Sequence, residues 1–146
     1  MFKRLLAVAG LALIMTGCAS VPLADSSQDA ELKSFNANAD KAGVYIYRNE
    51  TFGAAITMDV AVNGDPLGQT AAKTYLYAEL PEGKHTISSE AENTSELELD
   101  VVKGHLYYVW QEVKMGIMSA RSKLQLVDEE TGQEGVMESK LTVSIQ

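Results

Sequence analysis

His105-Leu-Tyr-Tyr-Val-Trp-Gln-Glu-Val113 places this chain among layered β proteins. Side chains alternate across a strand, so Leu106, Tyr108 and Trp110 point one way while Tyr107, Val109 and Val113 point the other. Both sets are apolar or aromatic, and such residues suit a pleated surface. A strand with two apolar faces needs cover on both. It therefore sits centrally in its sheet, or one of its faces meets something else.

On either side of this run the same period of two recurs. Val44-Tyr-Ile-Tyr-Arg48 is a β-branched and aromatic run. Ile56, Met58, Val60 and Val62 alternate with Thr57, Asp59 and Ala61. Asn63-Gly64-Asp65-Pro66 ends that strand, because Asn-Gly supplies positive φ and Pro66 has no donor. Residues 74–80 form another strand, the Pro81-Glu-Gly-Lys84 turn comes after it, and residues 85–89 begin the next. Leu97, Leu99 and Val101 alternate with Glu96, Glu98 and Asp100, and Lys103-Gly104 turns into the two-faced run. Residues 122–127 make a further strand, and Leu141, Val143 and Ile145 alternate in a last one. The spacing predicts an all-β fold, a compact antiparallel β-sandwich of about seven to eight short strands over residues 42–146. Helical periodicity is nearly absent.

The first part of the chain has a different character. Lys3 and Arg4 precede an apolar run over residues 5–15, too short for a bilayer, which needs about 20 residues. Met15-Thr-Gly17-Cys18 then resembles the lipobox of bacterial lipoproteins, with methionine where leucine is usual. By that resemblance residues 1–17 are a signal peptide cut between Gly17 and Cys18, and the Cys18 thiol carries the lipid. Two or three acyl chains anchor stably, at about 0.8 kcal/mol per buried methylene. Ala19, where an aspartate would signal retention, implies an outer-membrane anchor with the domain in the periplasm. The outer leaflet of the inner membrane and the cell surface are the alternatives. Cys18 is the single cysteine, so no internal disulfide supports the fold. Residues 18–41 are rich in Ala, Ser, Asp, Asn and Gln and read as the lipidated N-terminus and a flexible tether. Residues 30–35 could form a short helical turn, but its apolar face is thin.

Three runs carry a second resemblance: Val60-Ala-Val-Asn-Gly64, Leu67-Gly68 and Leu80-Pro-Glu-Gly-Lys-His-Thr-Ile87. They resemble a PEGA-type β domain, in which a Pro-x-Gly turn opens a strand. Val44-Tyr-Ile-Tyr-Arg48, Phe52-Gly53, Gly104-His-Leu-Tyr-Tyr108 and Lys114-Met-Gly116 narrow this resemblance to a family of small bacterial lipoproteins carrying a PEGA-like domain of unknown function, matched over about residues 42–130. The resemblance implies a compact β-sandwich and no established activity.

The chain has 146 residues, enough for one domain, and a net charge of −8. Loss of the two cations Lys3 and Arg4 with the signal peptide takes −8 to −10. Such a surface repels phosphate backbones, which argues against nucleic acid as a partner. His85 and His105 each come after a glycine turn, but no third ligand stands at metal spacing, and neither a Gly-x-Ser-x-Gly elbow nor a phosphate-binding glycine loop exists. The expectation is no enzyme, no metal and no cofactor. A hydrolase or metal-dependent enzyme built on His85 or His105 is the alternative, and a small-ligand or lipid carrier with a cleft between the sheets is the second. Glu96, Glu98 and Asp100 form an outward stripe that reads as a solvated face, and Asp128-Glu-Glu130 reads as a solvated loop. Tyr45 with Tyr47, Tyr75 with Tyr77, and Trp110 are the candidate partner-binding aromatics, if solvent-facing. Lys114-Met-Gly-Ile-Met-Ser-Ala-Arg121 breaks the strand pattern and reads as a soft connection. The expected function is a lipid-anchored, non-catalytic binding or assembly module with an envelope protein or glycan as partner.

Overall fold

The structure is a computed structural model and describes residues 20–145. Cys18, Gly17 and the rest of the signal peptide lie outside the described residues. Nine strands occur among the described residues, in chain order: β1 (Ala42–Arg48), β2 (Met58–Val62), β3 (Asp65–Thr70), β4 (Thr74–Leu80), β5 (Gly83–Glu90), β6 (Thr94–Val101), β7 (Leu106–Met115), β8 (Ala120–Val127) and β9 (Lys140–Leu141). Helix α1 (Ser26–Leu32) precedes them and α2 (Glu129–Met137) lies between β8 and β9. The strands form a five-stranded sheet, β8-β7-β1-β4-β9, and a four-stranded sheet, β3-β2-β5-β6.

The sandwich expectation holds, with a change in strand direction at two places. β1 runs parallel to β7, and β4 runs parallel to β9. Crossovers cause this. For the first pair, the chain visits the second sheet twice between β1 and β7, as β2–β3 and as β5–β6 with antiparallel β4 between them, and β7 then enters the first sheet in the direction of β1. Sequence periodicity carries no information on pairing direction, because both kinds of strand alternate alike. The final strand is also shorter than its alternation suggests. Beyond Leu141 the chain leaves the sheet to close the sandwich edge, with the Val143 amide donating to Pro22 O and the Ile145 amide to Leu67 O.

Pro66 does not end the second sheet. Asn63 and Gly64 both have positive φ, 52° and 83°, and reverse the chain in two residues, as a type I′ hairpin requires. β3 then pairs only with β2, and an edge strand tolerates a proline that lacks a donor.

Between the sheets lie Val44, Ile46, Val60, Val62, Leu67, Leu76, Ile87, Leu99, Val101 and Val109, all buried. Each such side chain contributes about 1.5–3 kcal/mol through burial. A polar chain crosses this interior. Thr70 Oγ1 donates to Gln111 Oε1 (2.6 Å), Gln111 Nε2 donates to Ser89 Oγ (2.6 Å), and Ser89 meets Ser122 (2.6 Å). These residues come alternately from the two sheets, so each bond ties one sheet to the other. Arg48 is fully buried beside them, donating from Nη1 to Ile56 O and Thr70 O and from Nη2 to Gly53 O, all at 3.1 Å. It thereby holds the loop between β1 and β2.

A third layer covers the outer face of the five-stranded sheet. Tyr45, Tyr47, Tyr75, Tyr108, Val136 and Leu141 are buried there, with Ala24, Leu32, Phe35 and Trp110 packed against them. β7 thus does have two buried faces: Val109 meets the second sheet and Tyr108 meets the helices.

Candidate functional site

The tyrosines named from the sequence sit mostly under the helices. Tyr45, Tyr47 and Tyr75 are at most 2% exposed. Tyr45 stacks on Tyr108 at 5.3 Å and meets Tyr77 at 4.8 Å and Phe35 at 5.6 Å. Its hydroxyl donates to Leu32 O (2.6 Å), and that of Tyr75 donates to Asp29 Oδ1 (2.6 Å). Burial pushes the Tyr45 hydroxyl up, and Tyr77 and Tyr108 beside it add to this. Tyr47 is pushed up to about 12 by burial and then by Asp128 and the glutamates near it. Tyr77 rises to about 12 through burial and Glu79. The buried tyrosines hold the molecule's own helices instead of an outside partner.

The same packing corrects the flexible tether expected over residues 18–41. Residues 24–35 are docked on the aromatic layer. Lys33 fastens them further, with Nζ 3.1 Å from Asp29 Oδ2, donating to Ser139 O (2.6 Å) and lying 5.8 Å from the Tyr75 ring centre. The physical reason is the second apolar face of the sheet, which needs cover. Leu32 and Phe35, spaced as one helix turn, supply it.

Tyr77 and Trp110 remain partly accessible, in different grooves. Tyr77 borders a groove of about 590 Å³ with Leu23, Leu32, Leu141 and Val143. Trp110 borders another with Tyr47, Glu50, Glu134 and Glu138. The space between the sheets, where a carrier cleft was the second alternative, is filled by the core.

The histidines are not brought together as a site. His85 has both ring nitrogens engaged: Nε2 lies 2.7 Å from Pro81 O and Nδ1 lies 2.8 Å from Asn63 Nδ2. A carbonyl accepts only, so Nε2 carries the hydrogen and Nδ1 accepts from Asn63, whose Oδ1 takes the Thr86 amide (2.9 Å). The ring locks the β2–β3 turn to β5. His105 is exposed on the turn before β7. Among the described residues, no group of three His, Cys, Asp or Glu is arranged to hold a metal. Glu96, Glu98 and Asp100 line one face of β6 and all three are exposed, the solvated stripe that their alternation suggests.

The surface feature that composition does not explain is the tip of the β7–β8 hairpin. Met115, Ile117 and Met118 are 81, 89 and 91% exposed. Large apolar residues at the tip of a turn are unusual, since polar residues dominate turns. The turn is also fixed. The amides of Ile117, Met118 and Ser119 donate to the Glu92 carboxylate at 3.0, 3.2 and 2.9 Å. These backbone bonds hold the Glu92 carboxyl below the usual carboxylate range. A flexible apolar loop would fold back on the protein. This one is held outward by a charged anchor from the β5–β6 turn. The break in pattern at residues 114–121 is visible in the sequence, but Glu92 is not: it lies 25 residues from Ile117 and becomes a neighbour only through the fold.

Residues 38–123 match the family described as Protein of unknown function (DUF2846). An uncharacterized protein of Haemophilus influenzae is 30% identical over 139 residues, covering 94% of this chain and 83% of that protein. No solved structure matches. The matched span includes the aromatic strands, the His85 lock, Glu92 and the hairpin tip, so the chain belongs to the DUF2846 family, proteins of unknown function.

Proposed function

We propose that this protein is a lipid-anchored envelope lipoprotein whose β-sandwich works by binding a partner protein, without catalysis. Cys18 would carry the lipid, with Ala19 after it favouring the outer membrane and a periplasmic domain. The observation that carries the binding role is the hairpin tip, where Met115, Ile117 and Met118 stand in solvent on a turn clamped by Glu92. Exposed apolar groups on an ordered element mark interaction sites. Methionine adapts to irregular pockets, and pre-ordering reduces the entropy cost of docking. A protein with an apolar pocket fits this tip better than a glycan does, because the projecting side chains are aliphatic and sulfur-bearing with no aromatic platform.

In-cell photocrosslinking from position 118 tests the role. The expected result is one dominant adduct, lost on Ile117→Ser and Met115→Ser substitution. Crosslinking from position 118 no stronger than from the exposed turn residue Lys103 would remove the tip as the binding site. Cys18→Ser should move the protein out of the membrane fraction while the domain stays folded, and retention there would refute the anchor.

A further inference from the structure

From the way the first described residues are tied down, we infer that the sandwich edge formed by Leu23, Val143 and Ile145 lies directly against the lipid bilayer. The inference rests on the reading of Cys18 as the lipidated residue. Four residues separate Cys18 from Leu23. Fully extended, that stretch reaches at most about 17 Å. Leu23 is not free to move away: it bridges Thr142, Ala24 donates to Leu141 O (2.9 Å), and Val143 donates to Pro22 O (3.0 Å). The domain is therefore attached at this edge by a short leash, not by the 24 residues of a tether over 18–41.

The same edge carries the apolar surface that contact with lipid needs. Leu23, Val143 and Ile145 are 51, 48 and 71% exposed. They lie where the C-terminal segment closes the sandwich beside β9 and β3. Asp25 and Glu31 border the groove next to Leu23, so the contact suits zwitterionic headgroups and needs no anionic lipid. An anchor that confines the edge to the surface raises its effective concentration there, so a small apolar patch is enough. The arrangement also orients the molecule. β9 and β8 are opposite edges of the five-stranded sheet, about 19 Å apart at ordinary strand spacing. With the β9 edge on the bilayer, the β7–β8 hairpin lies on the far side.

The test uses the lipidated full chain in phosphatidylcholine vesicles with brominated acyl chains, in a Trp110→Phe background. Leu23→Trp and Ile145→Trp should show blue-shifted emission and lose intensity to the bromines, while Met118→Trp should not. Quenching of Met118→Trp without quenching at the other two, or none at any position in protein that floats with the vesicles, overturns the proposal. Protein that fails to float overturns the lipid anchor itself and the proposal with it. Hydrogen exchange of the unsubstituted protein gives an independent readout: amides of residues 23–24 and 143–145 should slow on vesicles, and unchanged exchange there argues against the contact.

Discussion

Gly132 and Gly135 occupy the face of α2 that rests on the tyrosine layer. A Cβ at Gly132 would collide with the Tyr108 side chain, and one at Gly135 with the Tyr47 ring. Glycine is a poor helix residue, so the sequence hides this helix: Asp128-Glu-Glu130 reads as a loop because the next residues are Thr-Gly-Gln-Glu-Gly. The helix forms because Asp128 accepts the Thr131 amide (2.8 Å) and Val136 buries its side chain. Gly135→Ala gains up to about 1 kcal/mol in helix propensity but overpacks the Tyr47 contact at a cost of about 1–3 kcal/mol. The expected net effect is a lower urea midpoint at unchanged m. Glu92 gives a second prediction at the level of single residues. Its carboxyl lies below its ordinary value of 4.5, so the clamp is complete above that pH and lost as pH falls through the folded-state value. The amides of Ile117, Met118 and Ser119 should lose protection in acid. The Glu92→Gln variant should show weak protection already at neutral pH; equal protection in the variant and the parent would mean the carboxylate does not hold the turn.

Among the elements, periodicity also misses α1 and the buried polar chain. α1 has no buried residue of its own within Ser26–Leu32, so its apolar stripe is thin. Its docking depends on Phe35, which sits at positive φ (53°) after the helix and places its ring against Tyr45 and Tyr108. Phe35→Ala should destabilise by about 2 kcal/mol, roughly half the loss for a fully buried phenylalanine. Proteolysis of residues 20–36 should then accelerate before the sheets open. Cleavage there at the parent rate would mean that α1 docks without the ring. Gln111 has the parity of Val109 and Val113 and lies inside the sandwich, a position the strand pattern reserves for an apolar residue. Gln111→Leu leaves Thr70 and Ser89 without that partner in the interior, and a loss of about 1–3 kcal/mol is expected by denaturant unfolding. A neutral result would show that water replaces the amide.

Across the whole molecule the aromatic layer couples stability to alkaline pH. Tyr47 and Tyr77 titrate near 12 in the folded state, against 10 for an ordinary tyrosine, with Tyr45 and Tyr75 also raised. A raised acid favours the fold while the group stays protonated. The contribution is therefore complete below about pH 10 and is lost as pH rises from there toward 12. Tyrosinate absorbance should appear together with loss of the near-ultraviolet dichroism of the layer; ionisation at 10 in a protein that stays folded would mean that the layer is open to water. Residue order alone was enough for the β class, most strand positions and the two-faced character of β7, because side-chain alternation is local and survives without knowledge of partners; it missed β3, whose Asp65-Pro66 start reads as a turn. The lipobox-like run at Cys18 is legible for the same reason, since it is a matter of adjacent residues. Long-range packing was needed to make two pairings parallel, to lay residues 24–35 over the tyrosines, and to bring Glu92 under the tip of a hairpin 25 residues away. Each of these depends on which distant surfaces meet, and a period of two specifies a face without specifying what lies against it.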